Sequence, residues 1–458
     1  MGRQVRGAHG AGRSVRPLAW IAALAGAAAS SAALAASGEG PAFAGIPVDF
    51  ILFGLTLIGV AVFHHRTLEV ALTGLAVITA YKLAFTGFKT GAGLAGLAAH
   101  MGHEWVLLTN LLCLLLGFAL LSKHFEDSKV PAVLPRYLPS DWKGAFVLLV
   151  MIFVLSSFLD NIAAALIGGA MAHTVFRGKV HIGYLAAIVA ASNAGGSGSV
   201  VGDTTTTMMW ISGVSPIAVL HAYVAATVAL VVCGIPAALQ QHQYSPIMKY
   251  EPGAQVDWAR VGIIGFILVT AIAANVYVNV LHADIADRFP FIGAAVCLAV
   301  LVSVPVRKPE WSLLPEATKG TIFLLSLVTS ASMMPVEKLP AASWQSAMGL
   351  GFVSAVFDNI PLTALALKQG GFDWGMLAYT VGFGGSMIWF GSSAGVALSN
   401  MYPEAKNAGR WLFHGWHVSV AYVIGFFALL MILGWQPGEK RGSQPVGTPA
   451  ATAPAAVR

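Results

Sequence analysis

The sequence is short of charge. Lys, Arg, Asp and Glu together make up 10% of its 458 residues, against roughly 25% in a soluble domain. So few charged side chains cannot cover a water-facing surface, which excludes an ordinary soluble globular protein. Cysteine is scarce too. Cys113, Cys233 and Cys297 are the full set; each lies in an apolar stretch without metal-ligand spacing, so they read as small core residues rather than a disulfide or zinc framework. No GxxxxGK[ST] phosphate loop is present, which argues against an ATP-driven pump. No nucleophile–base constellation marks an enzyme. The basic excess of +6 is scattered over loops, not gathered into a nucleic-acid footprint.

What is abundant is apolar: 57% of residues are hydrophobic. This composition predicts an all-α polytopic membrane protein. Residues 1–35 read as a signal peptide, with Arg3, Arg6, Arg13 and Arg16 before an apolar run and Ala33-Leu-Ala35 as a small-residue cleavage site. Spans are expected at Ile46–Phe63, Leu68–Phe85, Glu104–Ser122, Pro216–Leu239, Trp258–Leu281, Pro290–Val306, Gly320–Met334 and Trp411–Trp435. The linker Gln240–Asp257, with Pro246, Pro252 and Gly253, divides the chain into a first repeat, 36–257, and a second, 258–435. The residues 436–458, rich in Pro, Ala and Gly, are expected to be disordered.

Four stretches depart from this pattern, and they come in pairs. Gly144–Phe176 is too long for one span and carries Ser156-Ser-Phe-Leu-Asp-Asn161 at its middle. Ser343–Lys368 repeats the arrangement with Ser354-Ala-Val-Phe-Asp-Asn359. Each reads as a re-entrant hairpin with the Asp-Asn pair at its tip. Tyr184–Ile211 and Gly375–Leu398 are spans broken by glycine and serine. The aspartates lie 198 positions apart. An offset of 189 carries Gly196 to Gly385, Ser197 to Ser386, Gly202 to Gly391, Asp203 to Ser392 and Thr204 to Ser393. With the N-terminus outside, the first hairpin opens to the cytoplasm and the second to the exterior. Fourteen Lys and Arg then fall on cytoplasmic loops and seven outside, as the positive-inside rule asks. The expectation is an inverted-topology repeat in a bacterial-type cytoplasmic membrane.

A broken helix leaves backbone groups unpaired, which a membrane tolerates only where they face a cavity or a ligand. Helix N-termini there favour anions and unwound carbonyls favour cations, so the side chains decide. Asp160, Asp203 and Asp358 supply acid; Asn161, Asn193, Asn359, Ser156, Thr205, Thr206, Ser354, Ser392 and Ser393 supply neutral oxygen. Hard anionic oxygen suits a small hard cation. A carboxylate removed from water also takes a proton more readily, so cation and proton can compete for one site. Intramembrane acids are functional by default, and Asp160 and Asp358 can at the same time cap the helices after them. His100 and Glu104 stand before the third span and read as interfacial, with a pH-sensing role as the sharper alternative. Lys82 is expected to snorkel. Trp105, Trp210, Trp258, Trp374, Trp411 and Trp416 are expected to be interfacial anchors.

Asp-Asn-Ile at both tips, with Asn193-Ala-Gly-Gly-Ser and Gly202-Asp-Thr-Thr-Thr-Thr-Met-Met-Trp210 between them, resembles the NhaD-type sodium/proton antiporters. These belong to the ion transporter superfamily, which also holds arsenite, citrate and dicarboxylate carriers. The resemblance runs from about Ile46 to Trp435. Where the family commonly has Trp-Ser-Pro-Ile before Gly-Asp, this chain has Gly198-Ser-Val-Val201. The resemblance implies that Ser156, Asp160, Asn161, Asn193, Asp203, Thr205, Thr206, Ser354, Asp358 and Asn359 serve transport, with sodium at Asp160, Asp203 and Asp358. It also implies pH-related roles for His100 and Glu104.

Two function classes follow. One is a sodium, and lithium, for proton exchanger without cofactor, whose partners are the ions, the lipid bilayer and, as an option left open, a second copy of the chain. The other is a carrier of citrate or another anion. In the carboxylate branch the tips resemble Ser-Asn-Thr, which leaves room for a substrate carboxylate; aspartates at both tips repel one.

Overall fold

A computed structural model describes residues 41–63, 66–248, 255–282 and 285–438. The expected signal peptide lies outside these residues. After a two-stranded ribbon, Ala42–Phe43 with Ile46–Pro47, the described chain is helical. The first half holds α1 Val48–Val62, α2 Thr67–Tyr81, α3 Gly93–Asp127, α4 Trp142–Ser156, α5 Asn161–Val175, α6 Ile182–Ser197, α7 Thr204–Ile211 and α8 Ala222–Tyr244. The second holds α9 Trp258–Asn275, α10 Phe291–Ser303, α11 Leu314–Ser332, α12 Trp344–Ser354, α13 Asn359–Gln369, α14 Trp374–Gly384, α15 Ser393–Met401 and α16 Trp416–Leu433. Five helical stretches are long and apolar enough to cross a membrane: Thr67–Thr86, Gly93–Asp127, Pro216–Tyr244, Trp258–Val278 and Trp416–Leu433. The protein is a multi-pass, helical membrane protein.

Helix starts are set by side chains that accept from the first free backbone N–H groups. Asp141, Asp160, Asp203, Asp257, Asp358 and Asp373 each cap a helix this way, the usual role of Asp before a helix. A large share of the chain's few acids therefore mark where helices begin.

The helices sort into two groups. In one, α6 and α14 pack against each other with every residue buried, as helices that are apolar all round must be. Around them lie α4, α8, α12 and α16, with α8 and α16 in long mutual contact. In the other group α3 packs on α9, α10 and α11, and α2 on α1 and α11. The groups meet where α13 rests on α11 and α7 on α3. Within the first group the halves interlock: α5 packs on α15 and α13 on α7.

Several sequence expectations change. The third span begins at Gly93, so His100 and Glu104 sit inside α3, buried, rather than at an interface. Lys82 does not snorkel. It is buried and pairs with buried Asp49 at 3.1 Å, because α2 is still within the fold at that point. Trp105, Trp258 and Trp416 are exposed as anchors should be, but Trp210, Trp374 and Trp411 are core residues. Cys233 is buried, while Cys113 and Cys297 are only partly so. Of the tail, residues 436–438 are described and tied to the start of α14: Gln436 N donates to Asp373 Oδ2 at 2.9 Å, and Trp374 Nε1 to the Gly438 carbonyl at 2.9 Å. The rest of the tail lies outside the described residues.

Candidate functional site

The two interrupted helix pairs meet at the breaks. α4 ends at Ser156 and α5 starts at Asn161, with Asp160 as its cap; Oδ2 accepts from Ile162 N at 3.1 Å. Asp358 caps α13 in the same way, Oδ1 accepting from Ile360 N at 3.0 Å. The backbones match closely, with φ −52 and ψ 140 at Asp160 against φ −53 and ψ 140 at Asp358. Both aspartates therefore do cap their helices, and capping uses one oxygen of each. The other oxygen of Asp358 accepts from the Ser393 hydroxyl at 3.0 Å.

The second break follows the same logic. Asp203 caps α7 through Oδ1, which accepts from Thr205 N at 3.1 Å. Its counterpart Ser392 caps α15, accepting from Gly395 N at 3.2 Å. Each tip is pinned to the break beside it by serine. Ser156 Oγ donates to the Ser192 carbonyl, and Ser354 Oγ to that of Val381, both at 2.6 Å. These acceptors are themselves 189 positions apart, so the two halves make the same contact.

Asn193 joins the halves. Its Oδ1 accepts from Asn161 Nδ2 at 3.0 Å; its Nδ2 faces Ser386 Oγ at 2.9 Å and Ser392 Oγ at 3.1 Å. Thr206 donates to the Ser199 and Asp203 carbonyls at 2.5 and 3.0 Å and so holds the break in shape. Thr205 Oγ1, Asp203 Oδ2 and Asn359 Nδ2 are buried and make no hydrogen bond of ordinary geometry among the described residues. Leaving such atoms unpaired is expensive unless something else satisfies them. The glycine that stands where the resemblance expects tryptophan has a local reason: a Cβ on Gly198 would lie 2.4 Å from the Tyr223 ring, and Tyr223 OH donates to the Gly195 carbonyl at 3.2 Å.

Asp160, Thr204 and Ser393 form the polar end of a cavity of about 340 Å³ whose walls include Leu115, Phe118 and Thr321. It shares Ala119, Ser122, Ala163 and Leu166 with a cavity of about 610 Å³ that reaches Lys123, Glu126 and Lys129. The two cavities adjoin, one lined by Asp160 and the other by Lys123 and Lys129.

His100 and Glu104 lie elsewhere. His100 Nε2 is 2.9 Å from Ser332 Oγ. Glu104 pairs with Lys368, in the last turn of α13, beside a separate polar cavity of about 320 Å³. The pair joins the two helix groups, the glutamate on α3 and the lysine on α13. Lys368→Ala should lower stability by about 2 kcal/mol, less than for a fully buried pair because the lysine is partly exposed. A Glu104→Gln/Lys368→Gln double variant, which keeps a hydrogen bond and no charge, should regain most of it in thermal unfolding of the detergent-solubilised protein. Equal loss in the double variant would show that a stranded buried carboxylate is not the cause of the loss.

Sequence reasoning brought together the right stretches and missed several partners. Ser386 was one serine among many until Asn193 reached it. Lys368 and Asp49 gave no signal, since their partners lie 264 and 33 positions away. Gly382 could have been found: the offset of 189 carries Asn193 to it.

Taken together, the features describe a multi-pass helical membrane protein with two pairs of interrupted helices and an aspartate at three of the four breaks. The chain is similar in sequence to sodium/proton antiporters, the NhaD type among them. It is 26% identical over 324 residues to sodium/proton antiporter 1 of Arabidopsis thaliana, an alignment that covers 62% of this chain and 53% of that protein. It is 25% identical over 283 residues to sodium/proton antiporter 2 of the same plant, covering 54% of this chain and 67% of the relative. The Na(+)/H(+) antiporter NhaD of Alkalimonas amylolytica is 26% identical over 338 residues, covering 62% and 67%. The chain thus spans about half the length of the first relative and about two thirds of the other two. No protein-family model matches it. These relatives are named as transporters, not enzymes.

Proposed function

We propose that the protein exchanges sodium, and also lithium, for protons across a bacterial-type cytoplasmic membrane. The observation that carries this reading is the charge at the helix breaks. Three acids, Asp160, Asp203 and Asp358, stand at the starts of α5, α7 and α13. They accept from backbone N–H groups and the Ser393 hydroxyl, and no Lys or Arg pairs with them among the described residues. A desolvated carboxylate is costly bare and is relieved by a cation or a proton, so alternation between the two couples their movements. Asn161, Asn193, Asn359, Ser156, Thr205, Thr206, Ser354, Ser392 and Ser393 are the supporting polar set. The names of the relatives favour the same reading.

The repeat belongs to this proposal. Residues 36–257 and 258–435 are two inverted halves whose re-entrant hairpins are α4–α5 and α12–α13. The matched caps, the matched serine contacts and the interlocking of α5 with α15 and α13 with α7 support it. The cavity adjoining that of Asp160 reaches Lys123 and Lys129, on the side assigned to the cytoplasm by the distribution of basic residues.

A dye-based proton-flux assay on everted vesicles tests the reading. Sodium and lithium should collapse the proton gradient; potassium and citrate should not. Flux driven by citrate, with no response to sodium or lithium alone, would overturn it in favour of an anion carrier.

A further inference from the structure

Asn161 and Asn359 hold the same place in the two halves, one residue beyond each tip aspartate. Among the described residues only the first has a partner for its side-chain N–H group. Asn161 Nδ2 donates to Asn193 Oδ1 at 3.0 Å, whereas Asn359 Nδ2 is buried and unpaired. The reason lies in the sequence. The position equivalent to Asn193 in the second half is Gly382, which has no side chain to receive the amide.

Gly382 has a second neighbour. A Cβ placed on it would stand 3.6 Å from Asp203 Oδ2, 3.3 Å from Ser197 Cβ and 3.7 Å from the Asn193 carbonyl oxygen. The glycine therefore lies against the free oxygen of the Asp203 carboxylate, a residue only 3% exposed. Thr205, two residues on and fully buried, brings its hydroxyl beside the same carboxylate. α13, which starts at Asn359, packs on both α14, which carries Gly382, and α7, which Asp203 caps.

Packing alone does not require this glycine. At Gly384 a Cβ would come within 2.3 Å of the Gly351 carbonyl, and at Gly385 within 2.8 Å of the Gly391 carbonyl. Those are backbone contacts that no side chain survives. The distances around Gly382 are ordinary to slightly tight, and its φ is unremarkable, so alanine fits. A glycine is used where alanine fits, beside a buried carboxylate oxygen that makes no hydrogen bond of ordinary geometry among the described residues.

We propose that Gly382 is a specificity-determining residue of the transport site. It keeps open the room beside Asp203 Oδ2 in which a small dehydrated monovalent cation sits, with the Thr205 hydroxyl and the Asn193 carbonyl as neutral oxygen ligands. This rests on the exchanger reading and deepens it. The asymmetry between the halves is then functional. In the second half Ser392, the counterpart of Asp203, is neutral and occupied with Asn193 Nδ2 and Gly395 N, so the cation is held on the first half's side. A methyl group at position 382 narrows the space and removes none of the ligands. It should penalise the larger cation more than the smaller, since cavity size is one lever of ion selectivity.

The test compares wild type, Gly382→Ala and Gly382→Ser by two readouts: cation-dependent thermal shift of the purified protein, and proton flux in vesicles with sodium or lithium. Gly382→Ala should fold with its cation-free melting point unchanged. The concentration of sodium needed for half effect should rise about tenfold, a difference of about 1.4 kcal/mol, and that of lithium should rise less. Gly382→Ser returns an oxygen to the space and should recover part of the sodium response. A folded Gly382→Ala with wild-type sodium and lithium responses overturns the role of Gly382 while leaving the exchanger reading intact. So does failure of Gly382→Ala to fold, because position 382 would then have no room for a methyl group. A wild type that answers neither cation in either readout overturns the exchanger reading and this proposal with it.

Discussion

Asp160→Asn protein is expected to fold as the wild type does and to move no protons in response to sodium. The two halves of this expectation come from different oxygens of one side chain. Oδ2 caps α5 by accepting from Ile162 N. Asparagine keeps an oxygen there and ranks with aspartate as an N-cap, so the start of α5 and the Ser156 contact beside it should survive. The same residue lines the cavity that adjoins the one reaching Lys123, and the charge it presents there is lost. Removing one charged partner from a desolvated contact costs about 2–5 kcal/mol, which is about thirtyfold or more in cation affinity. A neutral amide also has no proton to exchange at neutral pH, so coupling fails even for cation that does bind. Thermal unfolding and vesicle flux measured on one preparation separate the two effects. Sodium-driven proton movement at the wild-type rate in Asp160→Asn vesicles would remove this residue from the mechanism.

The sequence made the paired stretches legible because the physical cost of each is local. An Asp-Asn in an apolar run, or six polar and glycine residues in the middle of a span, is anomalous without any knowledge of what surrounds it. The observed breaks fall at residues 157–160, 198–203, 355–358 and 385–392, inside the stretches read as hairpins and broken spans. What was not legible was burial set by partners distant in the chain. Lys82 near the end of an apolar run looks free to reach water, and only the position of Asp49 shows that it is not. Trp374 opens α14 and Trp411 lies within the short helix Ala408–His414 that precedes α16, yet both are core residues; Trp411 Nε1 donates to the Ser386 carbonyl at 3.2 Å. His100 was placed before a span read as starting at Glu104. The helix nonetheless begins at Gly93, since Ser332 and Lys368 satisfy both side chains within the fold.

Gly195→Ala and Gly384→Ala should both be severely destabilised, and by similar amounts, although they lie 189 positions apart. A Cβ on Gly195 would stand 2.0 Å from the Phe153 carbonyl oxygen; one on Gly384 would stand 2.3 Å from that of Gly351. In each half, then, a tip helix rests its backbone directly on the helix before the break. Neither carbonyl can swing aside, because each belongs to a helical backbone. The helices would have to separate, and separation stretches the 2.6 Å serine contacts that pin each tip. In the first half it also strains the Ser157 hydroxyl bond to the Gly195 carbonyl. Overpacking of this kind typically costs about 1–3 kcal/mol and more where backbone must move, so at least about 3 kcal/mol is expected at each position. Gly349 supplies the control within the same helix as Gly351. A Cβ there meets nothing, and replacing an exposed helical glycine by alanine stabilises by about 0.5–1 kcal/mol. The measurement is thermal unfolding of the three single variants in one detergent. If Gly195→Ala melts with Gly349→Ala rather than far below it, the direct backbone contact is not what seats the tip.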